Sequence, residues 1–380
     1  MWFFNSPEVV FGEDALSYLS EIEGQRAFIV TDQNMVKLGF VDRVIGHLKE
    51  AGIETRVFAE VEPDPSLETV KRGAQAALAY EPDWIVGLGG GSPMDAAKAV
   101  WVLYERPDME PDEINPMETL GLRKKARLIT IPTTSGTGAE VTWFIVLTDV
   151  KEGIKLALGS REVMADMAIV DPSLVAELPP RLAADTGMDG LTHAVEGYTC
   201  IYHNDFCDGL CLKAIQLIFD HLPRAYEGDE EARGKMHIAA TIAGLGFGNS
   251  WATLAHGLGH SLGAVFHVPH GRAVGLFLPY TTEFTANQEG SRYIEIAHFL
   301  GLEPSPQALV RAIRELAQRI EQPTSIRELR ISQEDFEVAL PKLVENAEGD
   351  NATFSNSRIP SAEEFEQLYR YAYEGRAIDF

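Results

Sequence analysis

Four of the chain's ten histidines fall within residues 251–270, WATLAHGLGHSLGAVFHVPH: His256, His260, His267 and His270. His256 and His260 are four apart, so on a helix they share one face a turn apart. Upstream, MDGLTHAVE repeats that geometry with Asp189 and His193. Neutral imidazoles gathered with a carboxylate are the donors that a borderline divalent ion such as Zn²⁺ or Fe²⁺ takes. A lone histidine on an apolar helix is ordinarily a core residue. Two i,i+4 pairs of ligand-type residues, both in Gly/Ala-rich apolar surroundings, point instead to a metal centre. Spacing alone does not choose among the histidines of 256–270 to complete it.

A second group of residues is built for an anion. The loop after the apolar stretch 84–88 reads Gly89, Gly90, Gly91, Ser92, Pro93, Met94, Asp95. Glycines let backbone N–H groups approach a phosphate with no Cβ in the way. Ser92 is the expected N-cap of the following helix, Pro93 its first residue and Asp95 its capping-box acid. The stretch is not a P-loop, since GxxxxGK is missing, and GLGGGS lacks the third glycine of the dinucleotide fingerprint. Asp32 ends the strand pattern RAFIVTD, where a carboxylate can accept from an adenosine ribose. The hydroxyl-rich loop TTSGTG, residues 133–138, follows a further strand. Three such strand ends make a nucleotide crevice at the carboxyl edge of a parallel sheet.

The elements that must position these groups divide in two. Strand patterns at 26–32, 55–61, 84–88, 127–132 and 168–170 alternate with helical stretches such as 33–51 and 67–80. That alternation implies βαβ units and a mainly parallel sheet, with 145–158 as a hairpin. Leu178-Pro179-Pro180 is the expected domain boundary. Beyond it the strand signal fades and helical periodicity takes over, with loops at 227–231 and 349–358. The expected domains are therefore 1–178, α/β and nucleotide-binding, and 179–380, all helical and metal-holding.

Composition narrows the partners. The 380 residues are 45% apolar and 23% charged, an ordinary globular mixture, while a net charge of −25 argues against nucleic acid or an anionic membrane. Cys200, Cys207 and Cys211 are odd in number and crowded together, which suits reduced thiols better than a disulfide framework. With no signal-peptide pattern and no apolar run near twenty residues, a soluble cytoplasmic protein is expected.

The motifs GGGSPMDAAK, PTTSGTGAEVT, TGMDGLTHAVE and HGLGHSLGAVFHVPHG, in this order, resemble the iron-containing (group III) alcohol dehydrogenases. The resemblance spans roughly residues 1–300 and continues more loosely through NSRIPSAEEF. It implies an N-terminal Rossmann-like nucleotide-binding domain with a parallel sheet, followed by an all-α metal-binding domain, the dehydroquinate synthase-like fold. Carried over by residue, it makes Asp189, His193, His256 and His270 the metal ligands and puts His260 beside nicotinamide and substrate, without metal contact. Cofactor contacts fall on Asp32, Gly90, Gly91, Ser92, Thr133, Thr134, Thr137, Thr142, Lys155 and Leu182. His267 matches no functional position of the family. Asp64 stands where the family often has Asn. Gly190 and Gly197 stand where Ala is usual; each costs about 1 kcal/mol of helix propensity and is expected to widen the substrate space.

The resemblance implies hydride transfer between NAD(H) and a primary alcohol or aldehyde, with Fe²⁺ as the expected metal and Zn²⁺ as the alternative. The metal polarises the substrate oxygen and His260 relays the proton, in a site expected in the cleft between the halves. A homodimer, or a larger homo-oligomer, is expected, with the N-terminal strand as a pairing edge. The rival readings are a glycerol-dehydrogenase-like polyol oxidoreductase, an NAD-using dehydroquinate-synthase-like lyase and, more remotely, a metallohydrolase. The last is weakened because His256-Gly-Leu-Gly-His260 lacks the glutamate of HExxH.

Overall fold

The computed structural model describes residues 3–152 and 154–380. It consists of two compact units, Met1–Glu177 and Leu178–Phe380.

The first unit contains strands β1 (Glu8–Phe11), β2 (Arg26–Val30), β3 (Glu54–Phe58), β4 (Trp84–Gly89), β5 (Arg127–Pro132), β6 (Phe144–Asp149), β7 (Ile154–Gly159) and β8 (Met167–Val170). Its helices are α1 (Gln33–Lys37), α2 (Phe40–Glu50), α3 (Leu67–Tyr80) and α4 (Gly91–Glu105). Among the described residues, six strands form one parallel sheet in the order β1-β8-β5-β4-β2-β3, and β6 and β7 pair as an antiparallel hairpin. The near-continuous apolar runs of β4 and β8 are buried along their whole length, as in a parallel sheet covered on both faces. Alternation along β2 sorts the two cores. Ala27 and Ile29 join Val41, Val44 and Leu48 of α2 on one face, while Phe28 and Val30 join Val70 of α3 and Trp101 of α4 on the other. Strand order reverses between β2 and β4, and ligands of open α/β sheets bind outside the carboxyl ends at such a point.

The second unit is helical: α5 (Pro180–Thr199), α6 (Asp205–Tyr226), α7 (Glu230–Phe247), α8 (Leu254–Phe266), α9 (His270–Ala286), α10 (Ser291–Phe299), α11 (Pro306–Arg319), α12 (Gln333–Glu348) and α13 (Ala362–Glu374). α5 opens with Pro180 at its first position, where the missing N–H costs nothing. Leu191 and Val195 of α5 pack with Ile215 and Ile218 of α6 and Ile313 of α11 in one core. Leu258 and Leu262 of α8 pack with Phe277 of α9, Phe336 of α12 and Tyr369 of α13 in another. His267 ends α8 in a left-handed cap (φ 55°), which turns the chain so that α9 begins at His270. That is its structural role. Among the described residues no helix is long and apolar enough to cross a membrane.

Candidate metal centre and cofactor edge

In the helical unit, α5 presents Asp189 and His193 one turn apart, both buried, and α8 adds His256. His270 is the first residue of α9 and reaches the same point with its side chain 42% exposed, so the cluster opens to solvent on that side. One ligand atom from each of Asp189, His193, His256 and His270 lies within 4.8 Å of every other. The Nε2 atoms of His193 and His256 are 3.0 Å apart, and His270 Nε2 is 3.3 Å from Asp189 Oδ1. Metal–nitrogen distances of about 2.0–2.1 Å in a tetrahedron put ligand atoms about 3.3 Å apart, so the spacing fits one divalent ion. Asp189 Oδ1 and His193 Nδ1 are buried with no hydrogen-bond partner. An orphaned buried carboxylate oxygen is costly unless a cation completes it.

The electrostatics of Asp189 and His193 agree. Burial disfavours the Asp189 carboxylate, but His193 and then His270 outweigh it and hold its carboxyl well below the usual range. Burial drives the His193 pKa down to about 3, against the pull of Asp189, so this imidazole is neutral with a lone pair to offer. Burial also opposes charge on His256, but the Glu196 carboxylate prevails and raises its pKa.

Close helix packing makes the geometry possible. A Cβ on Gly271, beside His270, would lie 2.2 Å from the Asp185 carbonyl oxygen and 2.9 Å from Asp189 Cβ. The start of α9 can therefore rest on α5 only with glycine there. Arg272 then clamps the two helices, donating to both oxygens of Asp185 at 2.9 and 2.7 Å. Gly197 departs from expectation. A Cβ there would meet Cys211 Sγ, Phe247 Cα and Phe247 Cβ, each at 3.0 Å. The space beside it is filled by α6 and α7, so this glycine serves helix packing and does not widen a substrate cavity. The Phe247 ring in turn stacks on His193, centroids 3.9 Å apart and planes 10° apart.

His260 stands half-buried on α8, its ring centroid 5.3 Å from that of His270. Its Nδ1 lies 2.8 Å from Asp350 Oδ2, on the loop after α12. An Nδ1–H donated to that carboxylate leaves Nε2 free to accept a proton. Burial lowers the His260 pKa, and Asp350 opposes the shift. Two residues that sequence reasoning missed therefore support the histidines, Glu196 and Asp350. Glu196 carried a signal, being the acid three residues after His193 inside the same motif. Asp350 carried none, because its partner is 90 residues away.

In the α/β unit, the ends of β2, β4 and β5 bring the expected cofactor residues to one edge. Thr31 Oγ1 donates to the Leu88 carbonyl at 2.8 Å, and the Thr133 N–H donates to the Gly89 carbonyl at 2.9 Å. Helix α4 starts at Gly91 with Gly90 as N-cap and no side-chain cap. This corrects the expected capping: Ser92 and Pro93 lie inside the first turn. Asp95 accepts from the Val146 N–H at 3.1 Å, which ties α4 to β6. The early start leaves first-turn N–H groups without a side-chain cap, as an anion site requires. Gly89 is fixed at φ 145°, and a Cβ there would meet Pro93 Cγ at 2.6 Å. The threonine loop lies against this turn, since a Cβ on Gly91 would be 3.2 Å from Thr137 and one on Gly90 3.4 Å from Thr134.

Asp32 caps a helix. Its Oδ1 caps α1, accepting from the N–H groups of Asn34 (2.6 Å) and Met35 (3.2 Å), while Lys37 is exposed. Lys155 pairs with Asp64 at 2.7 Å, and the Asp64 N–H donates to Ser92 Oγ at 3.3 Å, so the Asp at this position engages the lysine expected at the cofactor. Thr142 is buried beside the same loop. Leu182 belongs to the other unit, exposed in the first turn of α5.

The comparisons with known proteins agree with this architecture. The family model for the iron-containing alcohol dehydrogenase matches residues 6–172, and that for the Fe-containing alcohol dehydrogenase family, C-terminal, matches 183–373. An NADPH-dependent butanol dehydrogenase of Clostridium saccharobutylicum is 42% identical, over 98% of both chains. The solved iron-containing alcohol dehydrogenase of Thermococcus thioreducens superimposes with a TM-score of 0.92 at 34% identity, covering 99% of this chain and all of that one. Sulfoacetaldehyde reductase of Bifidobacterium kashiwanohense, solved with NAD⁺, gives 0.89 at 30% identity, over 98% and 99%. The chain spans less than half the length of the aldehyde-alcohol dehydrogenases it also matches. With both halves of its length matched, the chain belongs to the iron-containing alcohol dehydrogenase family and is a metal-dependent oxidoreductase of the alcohol dehydrogenase class.

Proposed function

We propose that the protein interconverts a primary alcohol and its aldehyde with NAD(H) as the preferred cofactor, using one divalent ion held by Asp189, His193, His256 and His270. Fe²⁺ is the expected ion and Zn²⁺ the alternative, since the same donors accept both. The observation that carries this reading is the convergence of four donor atoms within 4.8 Å, two of their residues bearing buried atoms without a hydrogen-bond partner. When bound, the metal supplies a Lewis acid toward the substrate oxygen, and the nicotinamide supplies the hydride acceptor or donor.

The chain's own residues divide the remaining tasks. Gly90, Gly91 and Ser92 offer backbone N–H groups to the pyrophosphate, with Thr133, Thr134, Thr137 and Thr142 lining the neighbouring loop. Lys155 and Leu182 are the further cofactor contacts of this reading. The Asp32 oxygen not committed to the α1 cap accepts from the adenosine ribose, and its charge repels a 2′-phosphate. The name of the Clostridium relative specifies NADPH, so the NAD(H) preference proposed for this chain rests on the Asp32 carboxylate alone. His260, held by Asp350, takes up the alcohol proton at Nε2. A cytoplasmic homodimer completes the proposal, supported by the buried free thiols and by β1 at the sheet edge with Phe11 66% exposed.

The test is anaerobic purification, loading with Fe²⁺ or Zn²⁺, and a panel of C2–C8 and hydroxylated aldehydes followed by NADH oxidation. Turnover that a chelator abolishes and metal restores is the expected result. NADH oxidation indifferent to the chelator would overturn the reading.

A further inference from the structure

On the face of helix α5 that carries Asp189 and His193, the next turn carries a further buried acid, Glu196. Its carboxylate is 2% exposed, and both oxygens are engaged at the start of α8. Oε1 accepts from Thr253 Oγ1 at 2.9 Å, from the Ala255 N–H at 2.6 Å and from the His256 N–H at 3.4 Å. Oε2 faces His256 Nδ1 within hydrogen-bond reach. Thr253, the N-cap of α8, makes no side-chain cap of its own, so an acid from another helix satisfies the first-turn donors of the helix that carries His256.

The same carboxylate therefore fixes two things at once. The contact to Nδ1 requires that nitrogen to carry the proton, which leaves the lone pair on Nε2, the atom turned toward His193 Nε2 at 3.0 Å. The contacts to the N–H groups fix where the ring is mounted. We propose that Glu196 is a positioning residue for the metal centre: it holds His256 as an Nε2 donor and strengthens that donor through Nδ1. The inference rests on the metal reading given above.

Glutamine tests it sharply. A carboxylate offers acceptors at both ends, whereas an amide offers one acceptor and one donor. In either amide orientation a donor confronts a donor, the NH₂ meeting His256 Nδ1–H or the backbone N–H groups of α8. The first arrangement is relieved by moving the imidazole proton to Nε2, which removes the ligand lone pair. Loss of such an outer partner lowers metal affinity by roughly 10–100-fold.

The experiment measures the affinity of the full-length apoprotein for Zn²⁺ and Co²⁺ by chelator competition, with the Co²⁺ absorption spectrum and apoprotein melting recorded alongside. It compares wild type, Glu196→Gln and Thr253→Val, the last removing a cap bond without touching the imidazole. The expected result is a 10–100-fold loss and an altered Co²⁺ spectrum in Glu196→Gln, with Thr253→Val within about twofold of wild type. Equal affinity in Glu196→Gln, or an equal loss in Thr253→Val, overturns the proposal. Should Glu196→Gln not fold, histidine-selective ¹⁵N NMR of the Zn²⁺-loaded wild type decides. A strongly deshielded, slowly exchanging Nδ1 proton that persists in His260→Ala is expected, and its absence overturns the proposal. Wild-type protein that binds neither ion defeats the metal reading itself, a different outcome from tight binding that Glu196→Gln leaves unchanged.

Discussion

At the carboxyl edge of the sheet, the proposed cofactor contacts come mostly from backbone. Helix α4 starts at Gly91 without a side-chain cap, and the turn is set by what a Cβ would strike, Pro93 at Gly89 or the threonine loop at Gly90 and Gly91. In the helical unit the candidate donors are side chains on three helices, up to 81 residues apart, between Asp189 and His270. The first region is local: each strand end carries its own part, and one lost contact weakens binding by its own share. The second is collective, because each donor is correctly placed only if α5, α8 and α9 all pack correctly. Substitutions in the two regions should therefore fail differently, gradually at the edge and as a unit at the metal centre.

The largest effect is expected where a single methyl group disturbs that packing. Gly271→Ala places a Cβ against the Asp185 carbonyl and must displace the start of α9, taking His270 with it. Overpacking of this kind costs about 1–3 kcal/mol of stability, and most of the metal should go as well. Apoprotein melting together with metal content checks this; a variant with full metal and unchanged melting would show that α9 is not held by this contact.

Next come changes that leave the ligands in place. His260→Ala should retain the metal while kcat falls on the order of 10²-fold. Asp350→Asn should fall in the same direction by less, since it removes the charge that orients His260 while keeping a polar partner. A pH–rate profile of alcohol oxidation identical to wild type in both would remove this pair from proton transfer.

The smallest effect should come from the cofactor edge. Asp32→Gly would remove the α1 cap along with the charge, so the informative substitution is Asp32→Asn, which keeps a good N-cap. The NAD(H) preference should narrow by about tenfold in kcat/KM, about 1.4 kcal/mol, mainly through better use of NADP(H). A wild type that already favours NADPH, or a ratio that does not move, would separate Asp32 from the ribose.

The same contrast explains what the sequence made legible. Strand–turn–helix signals are local, so the sheet, its glycine turn and the 145–158 hairpin were readable, and β6 and β7 do pair there. Even so, the start of α4 was misplaced by two residues, because Ser-Pro capping preference was outweighed by a glycine backbone free to begin the helix earlier. The i,i+4 pairs Asp189–His193 and His256–His260 follow from helix geometry, but only family resemblance chose His270 over His260. The structure supplies the physical difference: a left-handed turn at His267 and glycine at 271 bring His270 to the cluster, while Asp350 holds His260 by its other nitrogen. Gly197 was misread because the space beside it depends on α6 and α7, which no local pattern reveals.

The central claim is that Asp189, His193, His256 and His270 form one metal-binding unit from which His260 is excluded. Its most direct test is metal content per protomer of anaerobically purified wild type, His256→Ala and His260→Ala, measured side by side with circular dichroism to verify folding. One equivalent in wild type and in His260→Ala, with most of it lost in a folded His256→Ala, is the predicted result. Metal retained in full by His256→Ala, or lost from a folded His260→Ala, would contradict the account.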